Sequence, residues 1–114
     1  MSVHLKASQA LKLMHLVSLG QVRSDMPDLT VRQLTILLTV YLEPPPHSVR
    51  GLAERMKVTK PVITRALDSL GGKKLLSRHR DENDRRNVVI VRTVEGARYL
   101  EKLGDLVADK ARHL

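Results

Sequence analysis

In the stretch RDENDRRNVVIVRT, residues 80–93, a polar segment with the composition of a turn is joined to a run of aliphatic residues of strand length. Its Asp and Asn residues favour a turn, since their short side chains hydrogen-bond to nearby backbone groups. The preceding KKLLSRHR (73–80) and the following NVVIVR (87–92) have the length and composition of strands. We therefore predict a β-hairpin whose tip, DENDRR (81–86), presents arginine side chains.

The hairpin follows a segment with the pattern of a helix-turn-helix, SVRGLAERMKVTKPVITRALDSL (48–70). Ser48 can cap a first helix and Thr59 a second, with Pro61 in the first turn of the second helix and Gly71-Gly72 at its end. The positions predicted to face inward are Leu52, Ala53, Met56, Val58, Val62, Ala66 and Leu67. Taken alone, residues 48–70 could be an ordinary helical hairpin, because any helical hairpin can show such a pattern. Likewise, the charge-balanced segment 81–86 could be a loop that is exposed to solvent and has no binding role. A helix-turn-helix directly followed by a hairpin, however, is typical of a winged helix.

Two helices are predicted before this motif. The first covers VHLKASQALKLMHLVSLG (3–20), which has apolar residues at helical spacing and is expected to end at Gly20. The second runs from about Val31 to Leu42, because Thr30 and Gln33 form a capping-box signature and three prolines follow. Its apolar positions lie almost all round, as expected of a buried helix.

A final helix is predicted after Thr93, its expected cap, with one apolar face formed by Val94, Ala97, Leu100, Leu103 and Val107. The predicted order is α-α-α-α-β-β-α. The fold class is therefore mainly α with minor β content: a single winged helix-turn-helix domain over residues 1–114, with a two-stranded wing.

The net charge of +8 is concentrated in the middle of the chain. Residues 48–92 carry twelve Lys and Arg against five Asp and Glu, a net of +7, whereas residues 1–47 carry four against three and residues 93–114 four against four. A basic centre between nearly neutral ends indicates that residues 48–92 bind a polyanionic partner and that the two ends have a different function.

The composition argues against several other classes of protein. No apolar run approaches the ~20 residues of a membrane span, and the start lacks the features of a signal peptide. The absence of cysteine excludes disulfides and thiolate sites. We predict a cytoplasmic protein without a membrane partner.

Nothing in the sequence predicts catalysis, a metal or a cofactor. The five histidines are scattered, without a second His or a carboxylate at ligand spacing. Ser77 and His79 alternate on a predicted strand but lack a third group that would orient a base. Gly71-Gly72 lacks the surrounding pattern of a phosphate-binding loop. We predict that the chain is not an enzyme.

With these elements in place, the chain resembles the MarR (multiple antibiotic resistance regulator) family of winged-helix transcription factors over about residues 29–104. The resemblance includes LTVRQLTILL, LAERMKVTKPVITRALDSL and the wing sequence DRRNVVIVRT. The wing signature of the family is Asp, any residue, Arg, then five residues before Leu-Thr. Asp84, Arg86 and Thr93 match this signature, while Arg92 replaces the leucine.

The resemblance implies DNA binding by residues 48–92. Lys60, Thr64 and Arg65, which point outward on the second helix of the motif, would belong to the recognition helix. Arg86 would enter the minor groove, and Asp84 would orient it. The full set of residues assigned to DNA binding is Ser48, Arg50, Thr59, Lys60, Thr64, Arg65, Arg85 and Arg86.

The resemblance also implies a homodimer, which in the family is built by the first helix and a further long C-terminal helix. This sequence stops at Leu114 after one amphipathic helix, so dimerisation would rest on residues 1–20 and 93–114. The assigned residues are Leu13, Leu16, Val17, Leu100, Leu103 and Val107. The apolar stripe of the first helix could equally belong to the core. A small-molecule effector is possible, but the short C-terminal part gives the family's effector pocket little support.

These observations predict a regulator that binds double-stranded DNA in a sequence-specific manner, as a homodimeric repressor on a palindromic operator. The competing hypothesis is a winged-helix module that docks on another protein or on a polymerase, with DNA contact secondary. The +7 centre favours DNA, whereas the lack of the family's last helix favours the protein-docking alternative.

Overall fold

The computed structural model describes residues 3–114. Its elements are α1 (Ala7–Arg23), α2 (Val31–Leu42), β1 (His47–Ser48), α3 (Val49–Met56), α4 (Lys60–Gly72), β2 (Leu76–Arg80), β3 (Val88–Arg92) and α5 (Val94–Ala111). The chain forms two compact units: the larger is Leu29–Arg98, and the smaller joins the residues up to Asp28 with Tyr99–Leu114. The mainly helical winged-helix fold predicted from the sequence is confirmed.

Helix α2 has the predicted bounds because its capping box forms. The Thr30 hydroxyl accepts from the Gln33 backbone N–H at 3.1 Å, and the Gln33 side chain accepts from the Thr30 N–H at 3.0 Å. The helix ends before the three prolines, which cannot continue its hydrogen bonding. Its buried face is Ile36, Leu37 and Val40. Val31 and Leu42, at its two ends, are exposed, so the helix is not buried all round as predicted.

Helices α3 and α4 form the predicted helix-turn-helix. The Ser48 hydroxyl accepts from the Gly51 N–H at 2.9 Å and so caps α3 as expected. Lys57, with φ of 57°, turns the chain between the helices. Thr59 occupies the N-cap of α4, but its side chain makes no capping hydrogen bond, contrary to the prediction. The Thr59 hydroxyl is therefore not used in starting the helix.

The core of the larger unit is aliphatic. Its largest fully buried side chains are Ile36, Leu37, Leu52, Ile63, Leu67, Leu70 and Val40. On α4 the buried stripe is Ile63, Ala66, Leu67 and Leu70. The prediction placed Val62 inward instead of Ile63, but Val62 is only half-buried. The stripe begins at Ile63 because Ile63, Leu67 and Leu70 follow the helical i, i+4, i+7 spacing.

The wing is a β-hairpin of β2 and β3, with Leu76 opposite Arg92 and Arg80 opposite Val88. A third strand, absent from the prediction, pairs with β3, so that the sheet has the order β1-β3-β2. In this strand His47 lies opposite Ile90 and Ser48 opposite Val89. Two residues are too few to show the alternation by which strands are identified.

The junction between β3 and α5 is tied to α2. The Tyr41 hydroxyl donates to the Thr93 carbonyl at 2.7 Å and accepts from the Thr93 N–H at 2.9 Å. The Thr93 hydroxyl accepts from the Gly96 N–H at 3.0 Å, which confirms Thr93 as the cap of α5. Arg92 donates from Nε to the Val40 carbonyl at 3.1 Å, and its guanidinium lies 5.5 Å from the centre of the Tyr41 ring. Where the family signature has leucine, this chain therefore uses a polar and cation–π contact.

In the smaller unit, α1 continues through Gly20 to Arg23. The prediction that Gly20 ends the helix is wrong. A Cβ at this position would lie 2.7 Å from Leu106 Cδ1 on α5, so Gly20 marks a close approach of the two helices, and any larger residue would need the Leu106 side chain to shift. The two functions of glycine cannot be separated from sequence alone, because each needs only a missing side chain.

Tyr99 is a buried polar group of the smaller unit. Its side chain is 5% exposed, and within the described part of the chain its hydroxyl has no hydrogen-bond partner of good geometry. Burial raises the pKa of Tyr99 above the ordinary 10.0; the nearby Gln21 side chain opposes this rise and Asp28 adds to it. The neutral form is thus favoured in the folded state.

We expect Tyr99→Phe to be as stable as the unaltered chain or more stable by up to ~1 kcal/mol, because it removes a buried, unsatisfied hydroxyl. A folded-state pKa above that of the unfolded chain contributes stability that is lost as the pH rises past 10. The variant should therefore lose less stability than the unaltered chain between pH 9 and 11, as measured by urea unfolding. A larger alkaline loss in Tyr99→Phe than in the unaltered chain would contradict the raised pKa, because it would mean that the fold stabilises the ionised Tyr99 phenolate.

Candidate nucleic-acid interface

Three separate segments of the larger unit meet in one surface groove of about 630 Å³. They are the start of α3, the first turns of α4 and the part of the wing from Asp84 in the tip to Val88 at the start of β3. We call this the wing groove, lined by Ser48, Val49, Arg50, Lys60, Thr64, Asp84, Arg86, Asn87 and Val88. Its charged side chains are three cations and one carboxylate, a net of +2, so that it is suited to an anionic ligand.

The three cations of the wing groove come from three different elements of the fold. Arg50 lies in the first turn of α3, behind the Ser48 cap. Lys60 is the first residue of α4, and Thr64 follows one turn later on the same exposed face. Arg86 comes from the wing. The starts of two helices and the wing thus bring together groups as distant in sequence as Ser48 and Arg86, which are 38 positions apart.

The wing tip is closed by backbone and Asx-type hydrogen bonds. The Asp81 N–H donates to the Asn87 carbonyl at 3.0 Å, and the Asn87 N–H donates to the Asp84 carbonyl at 2.9 Å. The Asp81 carboxylate accepts from the Asn83 N–H at 2.9 Å. The acids at the tip therefore shape the turn, as their short polar side chains predicted.

Asp84 contacts the backbone of Arg86 and not its guanidinium. Its Oδ1 accepts from the Arg86 N–H at 3.1 Å. Among residues 3–114, the ion pairs within 4.0 Å do not include Asp84 with Arg86. Asp84 is thus placed to fix the main chain from which the Arg86 side chain projects, while the guanidinium stays available to a ligand.

Five of the eight residues predicted to bind DNA line the wing groove: Ser48, Arg50, Lys60, Thr64 and Arg86. Arg65 lies outside it, in a smaller groove of about 180 Å³ beside α2. Thr59 and Arg85 are exposed but line neither groove.

Sequence reasoning missed Asn87 in the wing groove and Arg32 in the smaller groove. Asn87 directly follows the two wing arginines in the sequence, and this position could have suggested that it also lines the groove. Arg32 gave no such signal, because it lies on α2, 33 positions before Arg65.

Some basic residues of the centre are engaged within the fold. Arg55 makes two hydrogen bonds of 3.1 Å to the Glu43 carboxylate, and these lower the pKa of Glu43. Arg78 pairs with Asp68 at 2.8 Å, joining β2 to α4. The Arg78–Asp68 pair is already counted within the net +7 of residues 48–92, whereas Glu43 lies outside that range, so its pairing with Arg55 lowers the net charge free for a ligand from +7 to +6. In the part of the chain that the structure describes, the cations of the wing groove are not among those held in ion pairs.

A second hollow of about 780 Å³ lies between α2 and α3, against the Glu43–Arg55 pair. Its apolar lining is Val31, Leu38, Leu42, Met56 and Val58. Among residues 3–114, no three His, Asp or Glu side chains are placed to hold a metal ion. None of the helices in that range combines the length and the apolar character that a bilayer-spanning segment needs.

Comparison with known proteins assigns the chain to a family. The model of the MarR family matches residues 29–88, which are sixty of the 114 residues. The chain belongs to the MarR family. The resemblance seen in the wing and the helix-turn-helix is thereby confirmed, and the chain is a DNA-binding transcriptional regulator of this family.

Solved MarR-like structures share the fold over most of the chain. YusO from Bacillus subtilis has 28% identity and a TM-score of 0.75, over 95% of this chain and 76% of YusO. A MepR–DNA complex from S. aureus has 21% identity and a TM-score of 0.74, over 88% and 79%. A mutant form of S. aureus MepR has 19% identity and a TM-score of 0.75, over 96% and 82%. No curated protein sequence matches the chain.

Proposed function

We propose that this MarR-family chain is a homodimeric repressor that binds a palindromic operator through the wing groove. The observation that carries the proposal is the convergence of Arg50, Lys60 and Arg86 from three segments on one surface. A single polyanion bound along that surface would contact all three cations at once, whereas cations scattered over the surface could not all contact one ligand.

Contacts to phosphates and contacts to bases would contribute differently to DNA binding. Cations at the start of α3 and on the wing would neutralise phosphates, which supply affinity without reading sequence. Lys60, Thr64 and Arg65 on α4 would read base edges in the major groove. Arg86 would enter the minor groove, whose negative potential is greatest where the groove is narrow.

A protein-docking module is the competing function, and one feature favours it. The exposed Val31 and Leu42 beside the hollow between α2 and α3 are the surface that a protein partner would use. That surface carries the paired Glu43 and Arg55, so it offers little free charge for DNA. Binding of DNA in the cytoplasm is the function that the larger set of residues supports.

Selection of bound sequences from random double-stranded DNA tests the proposal. We expect one motif with two-fold symmetry and half-sites about one helical turn apart, because two recognition helices of a dimer would lie ~34–36 Å apart. A motif without symmetry would contradict the dimer, and the absence of any enriched motif would contradict sequence-specific binding. Placing the recovered operator before a reporter gene then tests repression.

The proposed dimer interface includes the outer face of α1. The helix has no buried residue, and its most exposed apolar side chains include Leu11 (70%) and Met14 (67%). The predicted Leu13, Leu16 and Val17 are half-buried in the single chain. On α5, Leu103 is buried, Leu100 is half-buried and Val107 is exposed. The proposed interface therefore centres on Leu11 and Met14, while Leu103 belongs to the core of its unit.

We expect Leu11→Glu/Met14→Glu to yield a folded monomer with sharply weaker operator binding, because exposed side chains can become charged without disturbing the fold. Light scattering gives the mass, and circular dichroism checks folding. Leu103→Glu is the matched control: burying a charge should unfold the chain. A double variant that remains dimeric would place the interface elsewhere.

A further inference from the structure

The wing tip contains one hydrogen bond that neither the strand ladder nor the turn requires. Arg80, the last residue of β2, donates from Nη1 to the backbone carbonyl of Arg85 at 3.1 Å. The contact crosses the tip from one side of the hairpin to the other. It is made by the side chain of a residue that does not line the wing groove.

This bond acts on the peptide unit that carries Arg86. The Arg85 carbonyl and the Arg86 N–H belong to the same planar peptide. Arg80 holds the carbonyl end, and the Asp84 carboxylate holds the N–H end at 3.1 Å. With both ends held, the plane cannot rotate without breaking a hydrogen bond. The direction in which the Arg86 Cα presents its side chain is thereby restricted.

We propose that Arg80 is a positioning residue for DNA binding: it holds the Arg85–Arg86 peptide so that the Arg86 side chain is directed into the wing groove. The inference rests on the proposed function of that groove. If the exposed tip is already restricted in the free protein, less conformational entropy is lost when Arg86 becomes ordered on DNA, and the affinity is higher. Arg80 thus contributes to affinity through Arg86 and not through a contact of its own.

A double-mutant cycle separates this role from a direct contact. Operator affinity is measured for the unaltered chain, Arg80→Met, Arg86→Ala and the double variant. Arg80→Met should weaken binding by about 5-fold for each wing engaged, the usual effect of losing one hydrogen bond. In the Arg86→Ala background the same change should have only the smaller effect of removing one positive charge from the tip, since the residue being positioned is gone.

Arg85→Met is the matched control. It removes an equal charge from the same tip and leaves the Arg85 carbonyl in place. Its loss of affinity should be the same in both backgrounds. Thermal unfolding shows whether each variant keeps its fold, and Arg80→Gln, which is too short to reach the carbonyl, replaces Arg80→Met if that variant is unstable.

A second readout uses the free protein and does not depend on DNA. Without the bond from Arg80, the tip should open more often, so the Arg86 N–H should exchange its hydrogen faster in Arg80→Met than in the unaltered chain. Unchanged exchange would overturn the proposal, as would equal losses of affinity from Arg80→Met in both backgrounds. If the unaltered chain fails to bind any DNA, the proposed function of the groove is contradicted. If it binds DNA but the losses from Arg80→Met and Arg86→Ala are additive, only the role of Arg80 is contradicted.

Discussion

Reversing the charge of Lys60 and Arg86 together, as Lys60→Glu/Arg86→Glu, should weaken operator binding by on the order of a thousandfold. Each protomer would lose two contacts, four in the dimer, and contacts of this kind are worth about 1 kcal/mol or more each. Both side chains are exposed, so the fold should be unchanged. Fluorescence anisotropy with labelled operator measures the affinity.

Arg98→Glu is the control for net charge. Arg98 is exposed on α5 and does not line the wing groove. One reversal there should change affinity only slightly, by the long-range effect of the charge. If Arg98→Glu weakens binding as much as either single reversal in the wing groove, binding follows net charge and the groove has no special role.

Gly96→Ala should destabilise the chain by about 2–4 kcal/mol, the combined effect of overpacking and of a broken buried hydrogen bond. A Cβ at Gly96 would run into the Leu75 carbonyl oxygen and the Tyr41 hydroxyl. The hydroxyl cannot easily move, because it makes two hydrogen bonds to the backbone of Thr93. The change would therefore loosen the joint between α2, the wing and α5.

Gly104→Ala on the same helix is the matched control. Apart from its chain neighbours and the backbone of its own helix, nothing in the described residues 3–114 lies within 4 Å of a Cβ built at Gly104, so this variant should gain ~0.5–1 kcal/mol of helix propensity. Urea unfolding of both variants measures the two effects. Helix propensity gives the gain at Gly104, and the contacts around Gly96 give the loss there; a Gly96→Ala chain as stable as Gly104→Ala would contradict the close approach at Gly96.

The parts of the fold that were predicted correctly are those specified by local chemistry. The Thr30–Gln33 capping box, the Ser48 cap and the Thr93 cap each depend on residues within three positions of each other, and each forms. The turn at the wing tip likewise depends on short-range bonds from Asp and Asn. Such signals can be identified in a sequence because the interacting groups are neighbours along it.

The Thr59 cap is a local signal that failed, but the other main features that were missed depend on distant partners. Gly20 was taken as a helix end because Leu106, the side chain that approaches it closely, is 86 positions away. Strand β1 exists through its pairing with β3, about 42 residues later. In the candidate site, the types of residue were predictable, but the grouping of Asn87 with Arg50 and Lys60 and the contact of Asp84 with the backbone required the folded chain.

The salt dependence of operator binding tests most directly the claim that the basic groove binds DNA. A dimer that engages roughly six to ten phosphates should give a slope of log K against log salt concentration of about −5 to −9. Anisotropy titrations at several potassium chloride concentrations provide this slope. A steep slope that becomes shallower in the Lys60→Glu/Arg86→Glu variant is the predicted result. A slope near zero on the selected sequence would contradict phosphate contact by the wing groove and would favour the protein-docking function.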